Sequence, residues 1–199
     1  REASVPLYVC PSDAATGEPA VPAEGPAARQ AMNLPYMPGS YRAVSGRSDG
    51  TRYLDSGDLS TYPKQWRGIM HAVGPSGFTA ERSGTLRDGS SNTLMAGEST
   101  TRTRQGFRTF WAYPYAYFTL SAATTGQSRT LSGDYDRCAT EGGTGGDRPC
   151  KRGWGSYHPS GMNFAICDGS VRFLPATIDV ETLARLSTIE GRDFGQVPH

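Results

Sequence analysis

The stretch of sequence that decides the fold runs over residues 158–174 and reads HPSGMNFAICDGSVRFL. Residues 162–167 are apolar apart from one asparagine, and residues 170–174 form a second short run that ends in apolar side chains. Between the two runs stands Asp168-Gly169, a dipeptide that two-residue hairpin turns favour. The pattern therefore predicts two antiparallel strands joined by a tight turn.

A short helix is predicted directly after this hairpin. Asp179 can cap the N-terminus of a helix that begins at Val180 and ends near Thr188, because its carboxylate can accept hydrogen bonds from the free amides of the first turn. Leu183 and Leu186 follow Val180 at helical spacing, so these three side chains are expected to form the buried stripe.

Short apolar segments separated by Gly, Pro, Ser and Asp predict further strands upstream. They lie at residues 5–10, 69–73, 78–80 and 93–96, the last ending near Gly97-Glu98. The longest predicted strand covers residues 107–120.

Aromatic residues mark one face of this longest strand. By the two-residue period of a strand they are Trp111, Tyr113, Tyr115 and Tyr117. Pro114 lies inside the segment and lacks an amide proton, which favours an edge strand or a bulge. We interpret the aromatic face as a protein interface, with the stacking of a sugar or a base as the alternative.

Glycine and proline make up about a fifth of the chain, well above the usual share of roughly 12%. Residues 14–40 and 121–153 show no periodicity and are expected to be loop excursions. Together with the short strands, this composition predicts one head domain over residues 1–199. Its fold class is α+β and strand-dominated, with an antiparallel sheet, long loops and a short C-terminal helix.

The charge balance excludes several classes of protein. The 199 residues carry a formal net charge of +1, without the basic excess that nucleic-acid binding requires. No run of 18 apolar residues occurs, so no segment is expected to span a bilayer. The first ten residues lack the apolar core of a signal peptide.

Four cysteines at wide spacing favour disulfides and an oxidising compartment. We favour a bond between Cys138 and Cys150, which bracket a glycine-rich segment with no evident core of its own. That choice leaves Cys10 to pair with Cys167. The alternative is four reduced thiols in the cytosol.

The common catalytic signatures are absent from the sequence, and His158 with Asp168 is the candidate catalytic pair. His158 and Asp168 could orient a base, or could share a metal with Glu98. The simpler interpretation is a buried histidine that fixes a turn through hydrogen bonds.

Two acidic segments are possible calcium sites. Asp88, Asn92 and Glu98 match part of a calcium-binding loop, and Asp134 with Asp136 form a second set. The side chains of Asp88 and Asn92 can equally well hydrogen-bond their own turn without a metal. We expect no cofactor other than calcium.

The H-x9-D-G signature from His158 to Gly169 resembles the bacterial family of prepilin-type processing-associated H-x9-D-G domain proteins. Other parts of the sequence are similar to that family's motifs in the same order along the chain. They are Cys10-Pro11-Ser12-Asp13, Gly39-Ser40-Tyr41 with Gly46, Asp88-Gly89-Ser90-Ser91-Asn92-Thr93-Leu94 through Gly97-Glu98, and residues 183–191.

This resemblance implies a pilin-like, extracytoplasmic head. Family members begin with a prepilin leader and a long apolar helix, so this chain looks like the C-terminal head of a protein anchored to the membrane by a helix absent here. The family has no established catalytic activity, and the Cys10–Cys167 pairing would be particular to this protein. The motif residues are expected to be structural, and they are His158, Asp168, Gly169, Asp88, Gly89, Asn92 and Glu98.

The sequence as a whole favours a non-enzymatic, pseudopilin-like structural or assembly subunit. Its partners would be other protein subunits of a membrane-associated assembly or filament. The alternative is a secreted module that binds calcium or a glycan. A third possibility is a hydrolase that uses His158, Asp168 and Glu98.

Overall fold

The computed structural model of the protein describes residues 1–14, 16–29, 33–55, 61–74, 77–126, 131 and 133–191. Over these residues the fold is α+β and dominated by strands, as predicted. The strands are β1 (Pro38–Gly39), β2 (Tyr41–Ser48), β3 (Leu94–Glu98), β4 (Thr109–Phe110), β5 (Leu120–Thr124), β6 (Gly161–Ile166) and β7 (Val171–Pro175). The helices are α1 (Pro26–Arg29), α2 (Tyr135–Glu141), α3 (Arg148–Lys151) and α4 (Val180–Leu186).

Five strands form the main sheet, in the order β5-β2-β3-β6-β7. Strands β2 and β5 are parallel, and the other neighbours are antiparallel. The predicted hairpin is confirmed as β6 and β7. Its turn is closed by Asp168, whose Oδ1 accepts a hydrogen bond from the amide of Ser170 at 2.9 Å, and by Gly169 at φ +89°.

The inner face of this sheet and helix α4 form the main core. Met162, Phe164 and Ile166 alternate along β6 and are fully buried in one apolar cluster with Leu183 and Leu186 of the helix. The predicted cap is confirmed, since Asp179 Oδ2 accepts a hydrogen bond from the amide of Thr182 at 2.8 Å. The helix ends at Leu186, slightly earlier than predicted.

The long strand predicted over residues 107–120 is wrong. The chain forms only the two-residue strand β4, turns through a 3-10 helix at Ala116–Phe118, and then enters β5. Pro114 cannot donate to a strand ladder, and the aromatic rings collapse on one another instead. The ring centroids of Tyr117 and Phe118 are 4.4 Å apart.

Because this segment turns, its four predicted aromatic residues do not form one face. Tyr113 and Tyr117 are buried in a second core around Phe110. Trp111 is half-buried, and Tyr115 remains exposed. The period of two therefore describes a strand that the chain does not form.

The predicted loops and several short strands also differ from the structure. Residues 14–40 contain α1, which packs Ala27 against the second core, and residues 121–153 include most of β5 together with α2 and α3. Residues 5–10 form a 3-10 helix at Pro6–Tyr8 rather than a strand, since proline begins that turn. The described residues at 69–73 and 78–80 contain no strand.

The disulfide prediction is half right. Cys138 in α2 and Cys150 in α3 are bonded, with their Cα atoms 5.6 Å apart, whereas Cys10 and Cys167 are both free thiols. The amide of Cys167 donates to the carbonyl of Thr93 before β3 begins. Cys10 instead lies beside Glu98. Glu98 is five residues, or roughly 16 Å, further along the chain than Thr93. The two thiols are therefore too far apart to form a disulfide.

No helix among the described residues combines the length and the apolar character that a membrane crossing requires.

We predict that the Cys138–Cys150 bond contributes about 3 kcal/mol to the free energy of unfolding, because it closes a short loop that is otherwise free in the unfolded chain. Urea denaturation with and without reductant measures the loss. The double variant Cys138→Ala/Cys150→Ala is the control and should not respond to reductant. An unchanged wild-type midpoint under full reduction would contradict the prediction.

Candidate functional site

Three side chains that can bind a metal or exchange a proton meet at one end of β3, and they are Cys10, Glu98 and His158. The Nε2 atom of His158 lies 3.0 Å from Oε1 of Glu98 and 3.6 Å from Sγ of Cys10. One ligand atom from each residue lies within 4.8 Å of the other two. In the described part of the chain, this is the one grouping of three such residues that could hold a metal ion.

Glu98 is the centre of the site, and its side chain is only 3% exposed. It is the last residue of β3, where it pairs with Tyr41 of β2. Its Oε2 atom accepts a hydrogen bond from the amide of Asn163 in β6 at 2.7 Å. An ionised carboxylate can only accept hydrogen bonds, so this contact favours the His158 tautomer that carries its proton on Nε2.

The position of Cys10 is set by a turn of four residues. Its amide donates to Oγ of Ser40 at 3.0 Å, and that hydroxyl donates to Oδ2 of Asp13 at 2.8 Å. The amide of Asp13 donates a hydrogen bond to the carbonyl of Cys10 at 2.9 Å, which closes the turn. Burial, with a smaller contribution from neighbouring Glu98, raises the pKa of the Cys10 thiol above its ordinary value. The thiol is therefore protonated at neutral pH.

His158 forms the outer wall of the site and is 28% exposed at its side chain. Its amide donates to Oγ of Ser156 at 3.1 Å, which holds the turn before β6. A cavity of about 10 Å³, enough for one water-sized group, lies behind Cys10 and Glu98 beside Ser156 and Tyr157.

The third member of the predicted hydrolase set is not at this site. Asp168 lies at the tip of the hairpin, where its carboxylate accepts the amide of Ser170. His158 precedes β6 and Asp168 follows it, so the strand separates them by roughly 20 Å. The structure brings together His158 and Glu98 and leaves Asp168 in the turn.

The predicted calcium ligands do not gather either. Oδ2 of Asp88 accepts the amide of Gly191 at 2.8 Å, and Asn92 Nδ2 donates to the Asp88 carbonyl at 3.3 Å. This turn lies at the opposite end of β3 from Glu98. Asn92 therefore closes this turn, and Asp88 joins it to Gly191, which follows α4.

The second acidic pair serves helix α2. Asp134 is its N-cap, with Oδ1 accepting from the amide of Arg137 at 3.0 Å and from Oγ1 of Thr103 at 3.1 Å. Asp136 forms an ion pair with Arg104 at 2.8 Å. Neither residue belongs to the cluster of Cys10, Glu98 and His158.

The arrangement at Glu98 does not match a nucleophile–base–carboxylate relay. Such a relay uses both ring nitrogens, one facing the nucleophile and one facing the carboxylate. Here Sγ of Cys10 and Oε1 of Glu98 both approach Nε2 of His158. The contacts instead join three distant chain segments, and the same three atoms form a sulfur, nitrogen and oxygen ligand set.

Sequence reasoning missed the role of Cys10 because the cysteine count assigned it to a disulfide. A signal was nevertheless present in the motifs that resemble the H-x9-D-G family. Four of those blocks supply the residues that meet here, namely Cys10 with Asp13, Ser40 with Tyr41, Glu98 and His158.

Comparison with known proteins gives one match. A family model described as "Protein of unknown function (DUF1559)" matches residues 1–181. No curated protein and no solved structure matches the chain.

We predict that His158→Ala lowers the free energy of unfolding by about 1–3 kcal/mol, because the buried Glu98 carboxylate loses a donor. His158→Gln is the matched control, since its amide nitrogen reaches the position of Nε2 and can still donate. Chemical denaturation of both variants measures the difference. Equal stability of the alanine and glutamine variants would show that the hydrogen bond has no such role.

Proposed function

We propose that this chain, which belongs to the family described as protein of unknown function (DUF1559), is a non-enzymatic structural subunit that works by protein–protein contact. The observation that carries the proposal is the outer face of the main sheet. Paired residues of neighbouring strands lie on the same face. The register therefore defines one apolar row across all five strands, and its members are Val171, Ala165, Ala96, Ala43 and Leu120.

No member of this row is buried, whereas the inner face is covered by helix α4. Val171 is 64% exposed, and Phe173 beside it on β7 is 48% exposed. Large apolar side chains on an open sheet face are typical of an interaction site. We call the apolar row with Phe173 the outer face.

The shape of the outer face favours an apolar helix from a partner subunit. Its three central strands carry alanine, whose short side chain projects little from the sheet, so the middle of this face forms a shallow trough. Val171 and Phe173 rise at one edge, and Ile69, Met70 and Leu120 line a cavity of about 360 Å³ beside Ala43 at the other. A helix can lie in such a trough, and each Å² of apolar surface that it removes from water stabilises the complex by about 25 cal/mol.

The compartment is proposed on separate grounds. The Cys138–Cys150 disulfide is typical of proteins in oxidising surroundings. The finer resemblance to H-x9-D-G proteins supports an extracytoplasmic head, pilin-like and anchored by an upstream apolar helix. We therefore propose that the partner belongs to a membrane-associated assembly.

We predict that Val171→Asp/Phe173→Asp disrupts this assembly without unfolding the head, because both side chains are exposed. Native membranes carrying the wild type, the double variant or Leu7→Asp are solubilised in mild detergent and separated by native electrophoresis. Leu7 is the matched control, since it is an apolar residue 81% exposed in the turn at Pro6–Tyr8.

The wild type and Leu7→Asp should migrate in a complex, and the double variant should migrate as a single chain. The free energies of unfolding of the purified proteins should agree within about 0.5 kcal/mol, the usual effect of a surface substitution. A wild type that migrates alone, or a double variant that stays in the complex, would contradict the proposal.

A further inference from the structure

We propose that Cys10, Glu98 and His158 form a binding site for a thiophilic divalent cation, with Zn²⁺ as the best fit. Their ligand atoms are Sγ, Oε1 and Nε2, which lie within 4.8 Å of one another. The proposal goes beyond the contact function of the outer face, and neither depends on the other.

The distances suit a zinc ion. With Zn–S near 2.3 Å and Zn–N near 2.0 Å, the 3.6 Å separation of Cys10 Sγ and His158 Nε2 gives an S–Zn–N angle of about 110°, close to tetrahedral. The 3.0 Å between Nε2 and Glu98 Oε1 gives an N–Zn–O angle of roughly 95° with similar bond lengths.

The surroundings hold the ligands in place without a metal. Asn163 fixes the second oxygen of Glu98 at 2.7 Å. Ser40 and Asp13 fix the backbone of Cys10 from a second layer of contacts. Outer contacts of this kind orient the ligands of metal sites and strengthen binding.

The proton balance of binding is simple. The Cys10 thiol loses its proton to solvent and binds as a thiolate. The proton on Nε2 of His158 moves to Nδ1 through solvent, so the ring binds as a neutral ligand. Glu98 binds as its carboxylate. One proton is therefore released for each ion bound.

The donor set decides which ion is favoured. Sulfur and imidazole nitrogen select zinc and related transition metals over calcium and magnesium, which prefer oxygen. The adjoining cavity of about 10 Å³ can accept one water as a fourth ligand. The site therefore differs in both ligands and ion from the calcium loops that the sequence suggests.

The test uses the chelator-treated 199-residue chain, with Cys10 and Cys167 as free thiols and the Cys138–Cys150 disulfide intact. Titration calorimetry with Zn²⁺ is followed by thermal melting. We expect one saturable site and a higher melting temperature. His158→Gln and Cys10→Ser should each weaken the affinity at least tenfold. His158→Gln keeps the hydrogen bond to Glu98, so its metal-free form should fold normally.

Cys167→Ser is the matched control, because it removes the other free thiol outside the cluster and should leave the affinity unchanged. Co²⁺ provides a second readout, since sulfur ligation adds a charge-transfer absorption that Cys10→Ser should abolish. Absence of a saturable site, or equal zinc affinity in His158→Gln and the wild type, would overturn the proposal. A zinc response lost in Cys167→Ser would do so as well.

Discussion

The buried carboxylate of Glu98 is the interaction on which this structure depends most. Its two oxygens receive hydrogen bonds from His158, ahead of β6, and from the amide of Asn163 within β6. The thiol of Cys10 lies against the same group. A carboxylate that is 3% exposed is costly unless it is fully paired. The need to pair it therefore fixes where three distant segments of the chain meet.

The two faces of the sheet have different roles because their side chains differ. The inner face carries large apolar residues, such as Phe164 and Leu174, which are buried in one cluster with α4 and Trp154. The outer face carries alanine at the centre and exposed apolar side chains at β7. Glu98 lies two residues beyond Ala96 on the same side of the sheet, where it pairs with Tyr41. The proposed partner surface and the proposed cation site are therefore neighbours, although they rest on separate observations.

Features set by local chemistry were predictable from the sequence. The Asp168-Gly169 turn, the cap at Asp179 and the bond between Cys138 and Cys150 each depend on residues close in sequence. The segment 107–120 was not predictable, because Pro114 and ring-to-ring packing overrode the period of a strand. The site was found only in part. Its contacts span 60 and 148 residues, and spacing alone does not reveal contacts at that range.

The most direct test of the central role of Glu98 is a double-mutant cycle between Glu98→Ala and His158→Ala, followed by chemical denaturation of all four proteins. Residues that contact each other within one network show coupling energies of about 0.5–3 kcal/mol. We expect a coupling energy in that range, because removing either side chain leaves the other without its hydrogen-bond partner. Strictly additive losses would contradict the account and would mean that the two residues stabilise the fold independently.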